Sequence, residues 1–527
     1  MNDLTRALAF AAIAVSATFL SATAVSGAPH PSAPNVPGPN APGPGATSSP
    51  TPGPLPTATP EPPEVAIPRL EAKIKDDPNN RAALTELAGY YISTGHPDKA
   101  LGLTQRLLSL GEKTAQVYYL DGIANQSMGR VKEATDDFEN ATNREPTNAQ
   151  VLLTLTNLYL QTNRVADAER VAKRATTFNA NDKTAWLNYG LVLGQEKKYD
   201  EARQAFETAA KIDPKDPQPV ILEARSYIDQ NALALALQLF DRALTIDPKS
   251  TDALLGKARL LAGEHNVKDS IATFEMLLPL VQSDEAKASV MVEEARVYVT
   301  EKMNPEADAE IRKAVATYPN VPGVHVAYGD YLNGKNDRAG AEREWVIALG
   351  PKRDNPDALQ RLASLYVAEN KNAQALDMLN RLGEVLPNEP SVWAEIAQAN
   401  AAAGHFDKAR DAYRRTFELT RAPQALAGMA AADYRLHNYH ECSQIGDALD
   451  KGAADFVKQA PEVLYVMGKC YQADRQRDKA RSAYTRFLPY LKPNSATANE
   501  VKRDIADLSA PAPKPSATPK PKAAASH

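Results

Sequence analysis

From residue 66 to residue 508 apolar residues recur at three- and four-residue spacing, the mark of amphipathic helices, and no strand is evident. The stretch KTAWLNYGLVLGQEKKYDEARQAFETAAKIDPKD, residues 183–216, shows the pattern most clearly. Trp186, Tyr189, Gly190 and Leu193 lie at helical spacing, and GQEKKYD turns the chain. Ala202, Phe206 and Ala209 then share a second helical face, which Asp213 and Pro214 close. The small residues Gly190 and Ala202 let two helices approach, and Trp186, Leu193 and Phe206 fill the space between them.

The same pair of helices returns every 34 residues. Ala100, Ala134, Ala168, Ala202 and Ala236 follow one another at that interval, and Pro78, Pro146, Pro214 and Pro248 fall on the same lattice. Twelve copies start near residues 81, 115, 149, 183, 217, 251, 288, 322, 356, 390, 423 and 461. The small residue of the first helix runs Ala88, Gly122, Thr156, Gly190, Ala224, Ala258, Ala295, Gly329, Ala363, Ala397, Ala430 and Gly468. No unit of this size buries its apolar face alone, so stability must come from stacking. Three extra residues precede the seventh copy, and a long gap, DKGAADFVKQAP, follows the second helix of the eleventh. The eleventh also carries Asp433 and Gly446 where bulky residues belong, which predicts a distorted or mobile penultimate repeat.

These residues resemble the tetratricopeptide-repeat pattern of a large, a small and a tyrosine-like position, then Ala, an aromatic, Ala and a closing Pro. The resemblance implies an all-α fold: a right-handed α-solenoid of antiparallel helix pairs, with a peptide-binding concave groove lined by the first helices. It also implies that the second, fifth, ninth, twelfth and thirteenth positions of each repeat face that groove, and their spacing is one helical stripe. In repeats two to five the stripe supplies Gln116, Tyr119, Gln126, Gln150, Asn157, Gln161, Gln195 and Gln218, an uncharged, amide-rich wall. Such a wall suits an extended peptide backbone or a sugar polymer.

The ninth position then reads Arg225, Arg259 and Arg296, followed by Asp330. Guanidiniums in a row can grip carboxylates of an acidic peptide or an anionic polysaccharide by bidentate hydrogen bonds. The alternative is internal pairing, with Asp229 serving Arg225 or Arg259 and Asp330 serving Arg296. The carboxylate-clamp set of Lys, Asn and Arg found in some relatives is not reproduced.

Composition narrows the function. Among 527 residues the net charge is only −5, and no basic stripe stands out, which argues against a nucleic-acid partner. No phosphate loop, G-x-S-x-G, H-E-x-x-H or paired C-x-x-C occurs, and no unassigned stretch is long enough for a catalytic domain, so neither an enzyme nor a cofactor is expected. Residues 1–27 read as an export signal, with an apolar stretch ALAFAAIAVSATFL and small-residue cleavage options after Ala24 or near Gly27. The alternative is an uncleaved membrane anchor. Residues 28–65 are rich in Pro, Gly, Ala, Ser and Thr and read as a disordered tether. The array is expected over 66–494, a capping helix over 495–508 and a disordered Pro/Lys/Ala tail over 509–527.

The two cysteines, Cys442 and Cys470, lie in adjacent repeats and form a candidate disulfide, given an oxidising location. His437, His440 and Cys442 raise the question of a metal. Cys442, however, takes a slot that alanine fills in most other copies, and His96, His265 and His405 also sit at inter-helix turns, so no metal site is expected. Histidine there suits the C-terminal end of a first helix. The expectation is therefore a non-enzymatic scaffold or adaptor outside the cytoplasm, periplasmic or secreted, that binds extended protein segments. The alternative is a carbohydrate-binding component of a polysaccharide-export or cell-wall machine.

Overall fold

The computed structural model describes residues 61–350 and 354–510. The expected export signal, nearly all of the tether, and all but the start of the tail lie outside them. The described residues form helices and turns, with no strand among them. Two compact units divide the chain, one ending at Glu310 and the other beginning at Ile311.

In the first unit, repeats 1 to 6 are the helix pairs Arg81–Ser93 and Pro97–Ser109, Ala115–Ser127 and Val131–Arg144, Ala149–Gln161 and Val165–Phe178, Lys183–Gln195 and Tyr199–Ile212, Gln218–Asp229 and Leu233–Ile246, and Thr251–Gly263 and Val267–Leu277. Repeat 7 pairs Asp284–Thr300 with Asn304–Thr317, within which the division falls. Repeats 8 to 12 are Pro322–Gly334 and Arg338–Ala348, Pro356–Ala368 and Asn372–Val385, Pro390–Ala402 and Phe406–Thr420, Pro423–Arg435 and Tyr439–Gly452, and Glu462–Ala473 and Arg477–Phe487.

One backbone device makes every repeat turn. A single residue at each junction has positive φ, from Gly95, Gly129, Asn163 and Lys197 through to His437 and Arg475. The next residue's N–H then reaches back to a carbonyl near the end of the first helix, as His96 does to Tyr91 (2.7 Å) and Arg164 to Tyr159 (2.8 Å). That left-handed closure satisfies carbonyls the helix leaves open. First helices are started by side-chain caps: Asn80, Thr114, Asn148, Asp182 and Ser250 each accept a hydrogen bond from a backbone N–H in the first turn. The histidines sit at the inter-helix turns, as expected. His265 and His437 are themselves the left-handed residues, and His96 and His405 precede the second helices. Turn closure, not the first helix's C-terminal dipole, accounts for them.

Small and bulky residues are matched within the pairs. A Cβ added at Gly122 would lie 2.6 Å from the Phe138 ring, and Gly190, Gly329 and Gly468 stand likewise against Phe206, Trp345 and Tyr484. Tyrosines stitch neighbouring repeats. The hydroxyls of Tyr159, Tyr366 and Tyr471 donate to Glu139 (2.5 Å), Glu342 (2.8 Å) and Asp447 (3.0 Å) of the preceding repeat, with Arg164, Lys371 and Lys479 over their rings. Burial and the Glu342 hydrogen bond push the Tyr366 phenol up to about 12, so it remains a donor throughout the working pH range.

The irregular places are helical. The first helix of repeat 7 gains residues at its N-terminus and runs to 17. The long gap after repeat 11 holds a short helix, Ala454–Gln459, that buries Phe456 and Val457. Repeat 11 itself is a regular helix pair. The Tyr471 hydroxyl occupies the space beside Gly446, and Arg410 (3.2 Å) and Asn438 (3.0 Å) satisfy Asp433.

A helix precedes the array, Pro63–Asp76, and begins inside the stretch read as tether. Pro63 is tolerated in the first turn because its missing N–H has no helical partner there. The final helix, Ala496–Ser509, is capped by Ser495 and runs one residue beyond 508. Glu500 accepts from Tyr465 (3.0 Å), and Glu500 and Asp504 hold the nearly buried Lys469 at 2.7 and 2.8 Å. Tyr465 and Lys469 each meet a residue 35 positions later, so this helix stands where the first helix of a thirteenth repeat would begin.

Candidate functional site

In the first unit the first helices of successive repeats touch one another directly, as Ala149–Gln161 does Lys183–Gln195, and Gln218–Asp229 does Thr251–Gly263. Their outward stripe is the candidate site. On it, residues 31 to 35 positions apart come into lateral contact. Gln126 donates to Gln161 (3.4 Å), Gln150 to the Tyr119 hydroxyl (3.3 Å), and Gln218 to Asp252 (3.3 Å). Part of the amide wall thus braces itself. Asn157, half-buried, and Gln195, exposed, make no side-chain hydrogen bond among the described residues.

The arginine row separates in two. Arg259 meets Glu293 at 3.0 Å, and Arg296 lies 3.5 Å from the same carboxylate, three residues before it on its own helix. Arg225 has no ion pair or hydrogen bond among the described residues and is half-buried. The acids expected to neutralise the row are engaged otherwise or not at all. Asp229 pairs with neither arginine, and Asp330 accepts from Arg361 (2.5 Å) and from the Trp345 indole (3.2 Å). Glu293 was missed because it sits three residues upstream of Arg296, off the stripe that the repeat register marks. Its 34-residue separation from Arg259 was the available signal.

The first unit also buries a pair of carboxyls beneath the stripe. Asp121 accepts from the Thr104 hydroxyl, and Asp137 accepts from Asn125 at 2.9 Å. Burial, and then the charge of Asp121, push the Asp137 carboxyl up to about 7; burial also raises Asp121.

In the second unit the sulfur atoms of Cys442 and Cys470 are within bonding distance, with Cα atoms 5.5 Å apart and both residues fully buried. His437 contacts the Tyr439 hydroxyl (2.5 Å), and His440 faces Asp474 at 3.4 Å. Among the described residues no group of three or more His, Cys, Asp or Glu is arranged to hold a metal ion. No helix among them is long and apolar enough to cross a membrane.

Paired helices, turn closures and a 34-residue register define a helical repeat protein. Two family profiles match: the tetratricopeptide repeat protein 21 N-terminal ARM repeat over residues 88–302, and the tetratricopeptide repeat over residues 462–488. The chain is a tetratricopeptide-repeat protein. As such it is a protein-interaction scaffold, and the fold is typically non-enzymatic. A comparison with curated proteins finds no match. Similar solved structures include YrrB, described as a TPR protein with an unusual peptide-binding site (24% identity, 35% of this chain and 95% of that one, TM-score 0.31). MamA is similar at 23% identity over 30% and 91% of the two chains, TM-score 0.28. PilF of Pseudomonas aeruginosa is similar at 16% over 42% and 97%, TM-score 0.32.

Proposed function

We propose that the first-helix stripe of repeats 2 to 7 binds an extended polypeptide segment, and that the protein is an exported, non-enzymatic adaptor for partners in the cell envelope. The observation that carries the binding reading is the unpaired set of Asn157, Gln195 and Arg225 beside a self-braced amide wall. Amides present both donors and acceptors, which matches a peptide backbone that must exchange water for protein partners. Arg225 adds one carboxylate contact, with a planar fork suited to Asp or Glu on the ligand. Export rests on the character of residues 1–27 and of the tether that follows.

Glu293 hydrogen-bonds Arg259 and lies 3.5 Å from Arg296, which leaves Arg225 as the guanidinium of the row without an ion pair among the described residues, suited to a local acid on a peptide. A photo-crosslinking residue placed at Asn157 or Gln195 in the native envelope tests the reading. Capture of a polypeptide supports it; capture of glycan alone replaces it with the polysaccharide reading. Sequencing the mature N-terminus tests export, and a chain that still begins at Met1 defeats signal cleavage.

A further inference from the structure

The charged residues at the ninth and thirteenth positions of the repeats are mostly engaged by the protein itself. Arg259 hydrogen-bonds Glu293, and Arg296 lies 3.5 Å from the same acid. Asp330 accepts from Arg361, and Lys469 is held by Glu500 and Asp504. Arg435, at the thirteenth position of repeat 11, lies 4.2 Å over the Phe406 ring. Two charges are left over, and both stand on the helix Gln218–Asp229. Arg225 is the ninth residue of repeat 5 and Asp229 the thirteenth, and neither has an ion pair, hydrogen bond or ring contact among the described residues. Among the twelve copies only repeat 5 carries opposite signs at these two positions.

Residues four apart on a helix lie about 5–6 Å from each other at Cβ, but an arginine preceding its acid is the poorer orientation for pairing. The neighbouring first helices leave room around Asp229. Gln195 stands 34 residues before it and Gly263 34 residues after it. Gln195 makes no side-chain hydrogen bond among the described residues, and a Cβ added at Gly263 or Gly194 would meet nothing within 4 Å. Asp229 is exposed on the stripe, yet the surrounding protein removes part of its hydration and holds its carboxyl above the ordinary range.

We infer that repeat 5 is a two-charge subsite for an extended peptide crossing its first helix: Arg225 takes the carboxylate of an acidic residue, and Asp229 takes the ammonium or guanidinium of the basic residue next to it. The inference rests on the groove reading above and adds a specificity to it. Consecutive side chains of an extended chain point to opposite sides. A backbone running from repeat 4 to repeat 6 between the two positions therefore sends one side chain toward each. Arg225 offers its planar fork to the acid. A cation beside Asp229 replaces hydration that the protein has already displaced, so the contact gains more than one between fully hydrated groups. A uniformly acidic ligand would instead bring a like charge to Asp229.

The test uses the full chain and four blocked, fluorescein-labelled dodecapeptides of Ser, Ala and Asn, alike except for a central Glu-Lys, Gln-Lys, Glu-Gln or Gln-Gln. Fluorescence anisotropy at low salt gives their affinities. The Glu-Lys peptide is expected to bind tightest, with about two- to fivefold lost for each charge removed. Arg225→Gln should abolish the preference for Glu over Gln and keep that for Lys; Asp229→Asn should do the reverse. Neither side chain has an internal partner to lose, so both variants are expected to match the parent chain in thermal unfolding. If Asp229→Asn keeps the preference for Lys, or if the four peptides bind alike, the subsite is overturned and the groove stands. If none of the four binds, the subsite is overturned as well, and capture of a polypeptide at Asn157 or Gln195 decides whether the groove survives it.

Discussion

Asp137 and Asp121 of repeat 2 are neighbouring carboxyls with separate donors, Asn125 for the first and Thr104 for the second. The Asp137 carboxyl, ordinarily near 3.8, is raised to about 7 by burial and by the neighbouring charge, with Asp136 adding to the repulsion. Between these values the folded chain binds more protons than the unfolded one. Stability therefore falls as pH rises from about 4 to about 7 and then levels off. Asp137→Asn should flatten that slope and stabilise the protein at pH 8 by about 1 kcal/mol, discounted because the group is only half-buried. Thermal unfolding of both proteins across this range is the measurement; parallel curves would count against a raised Asp137 carboxyl.

Two glycines four residues apart should respond in opposite directions. Gly190→Ala drives a methyl group into the Phe206 ring, whereas Gly194→Ala meets nothing within 4 Å. The first change should destabilise by roughly 1–2 kcal/mol despite its better helix propensity, and the second should stabilise by up to ~1 kcal/mol. Denaturant midpoints with unchanged slopes would establish both.

Glu293 sets how many guanidiniums the stripe offers. Glu293→Gln should free Arg259 and Arg296 and tighten binding of an acidic peptide by a few fold, with a steeper salt dependence. Arg225→Gln should weaken the same peptide without altering unfolding, because that side chain has no internal partner to lose. If Arg225→Gln leaves affinity unchanged, the row has no role in binding.

Lys469 is held by two carboxylates of the last helix while only 11% of its side chain is exposed. Lys469→Met leaves Glu500 and Asp504 facing each other without a counter-ion and should cost about 2–4 kcal/mol. Glu500→Gln with Asp504→Asn in the same background should recover much of the loss. A double-mutant cycle showing no coupling would contradict the arrangement.

Cys442 and Cys470 give the simplest measurement. Intact mass of the protein purified without reductant should rise by two hydrogens on reduction, and two free thiols in the untreated sample would end the pairing.

Much of this was legible in the sequence, because a tetratricopeptide lattice fixes residue size at fixed intervals. Gly190 and Phe206 announced their own contact, and twelve helix pairs followed from the register. The candidate site was less legible. Arg225, Arg259 and Arg296 look alike in the chain, yet charge pairing depends on side chains a turn off the stripe, and Glu293 distinguishes them. The raised carboxyls of Asp121 and Asp137 depend on burial by neighbouring helices, and no one-dimensional pattern carries them.

The last helix imitates the opening half of a further copy and then stops. Repetition by itself contains no instruction to end, since every unit presents to the next the surface it received from the one before. Ala496–Ser509 accepts that surface, fills it with Ala498 and Val501, and spends its acids Glu500 and Asp504 on Lys469 behind it. Its two acids are thereby committed to the repeat behind it, so the electrostatics of this face are settled within the chain itself.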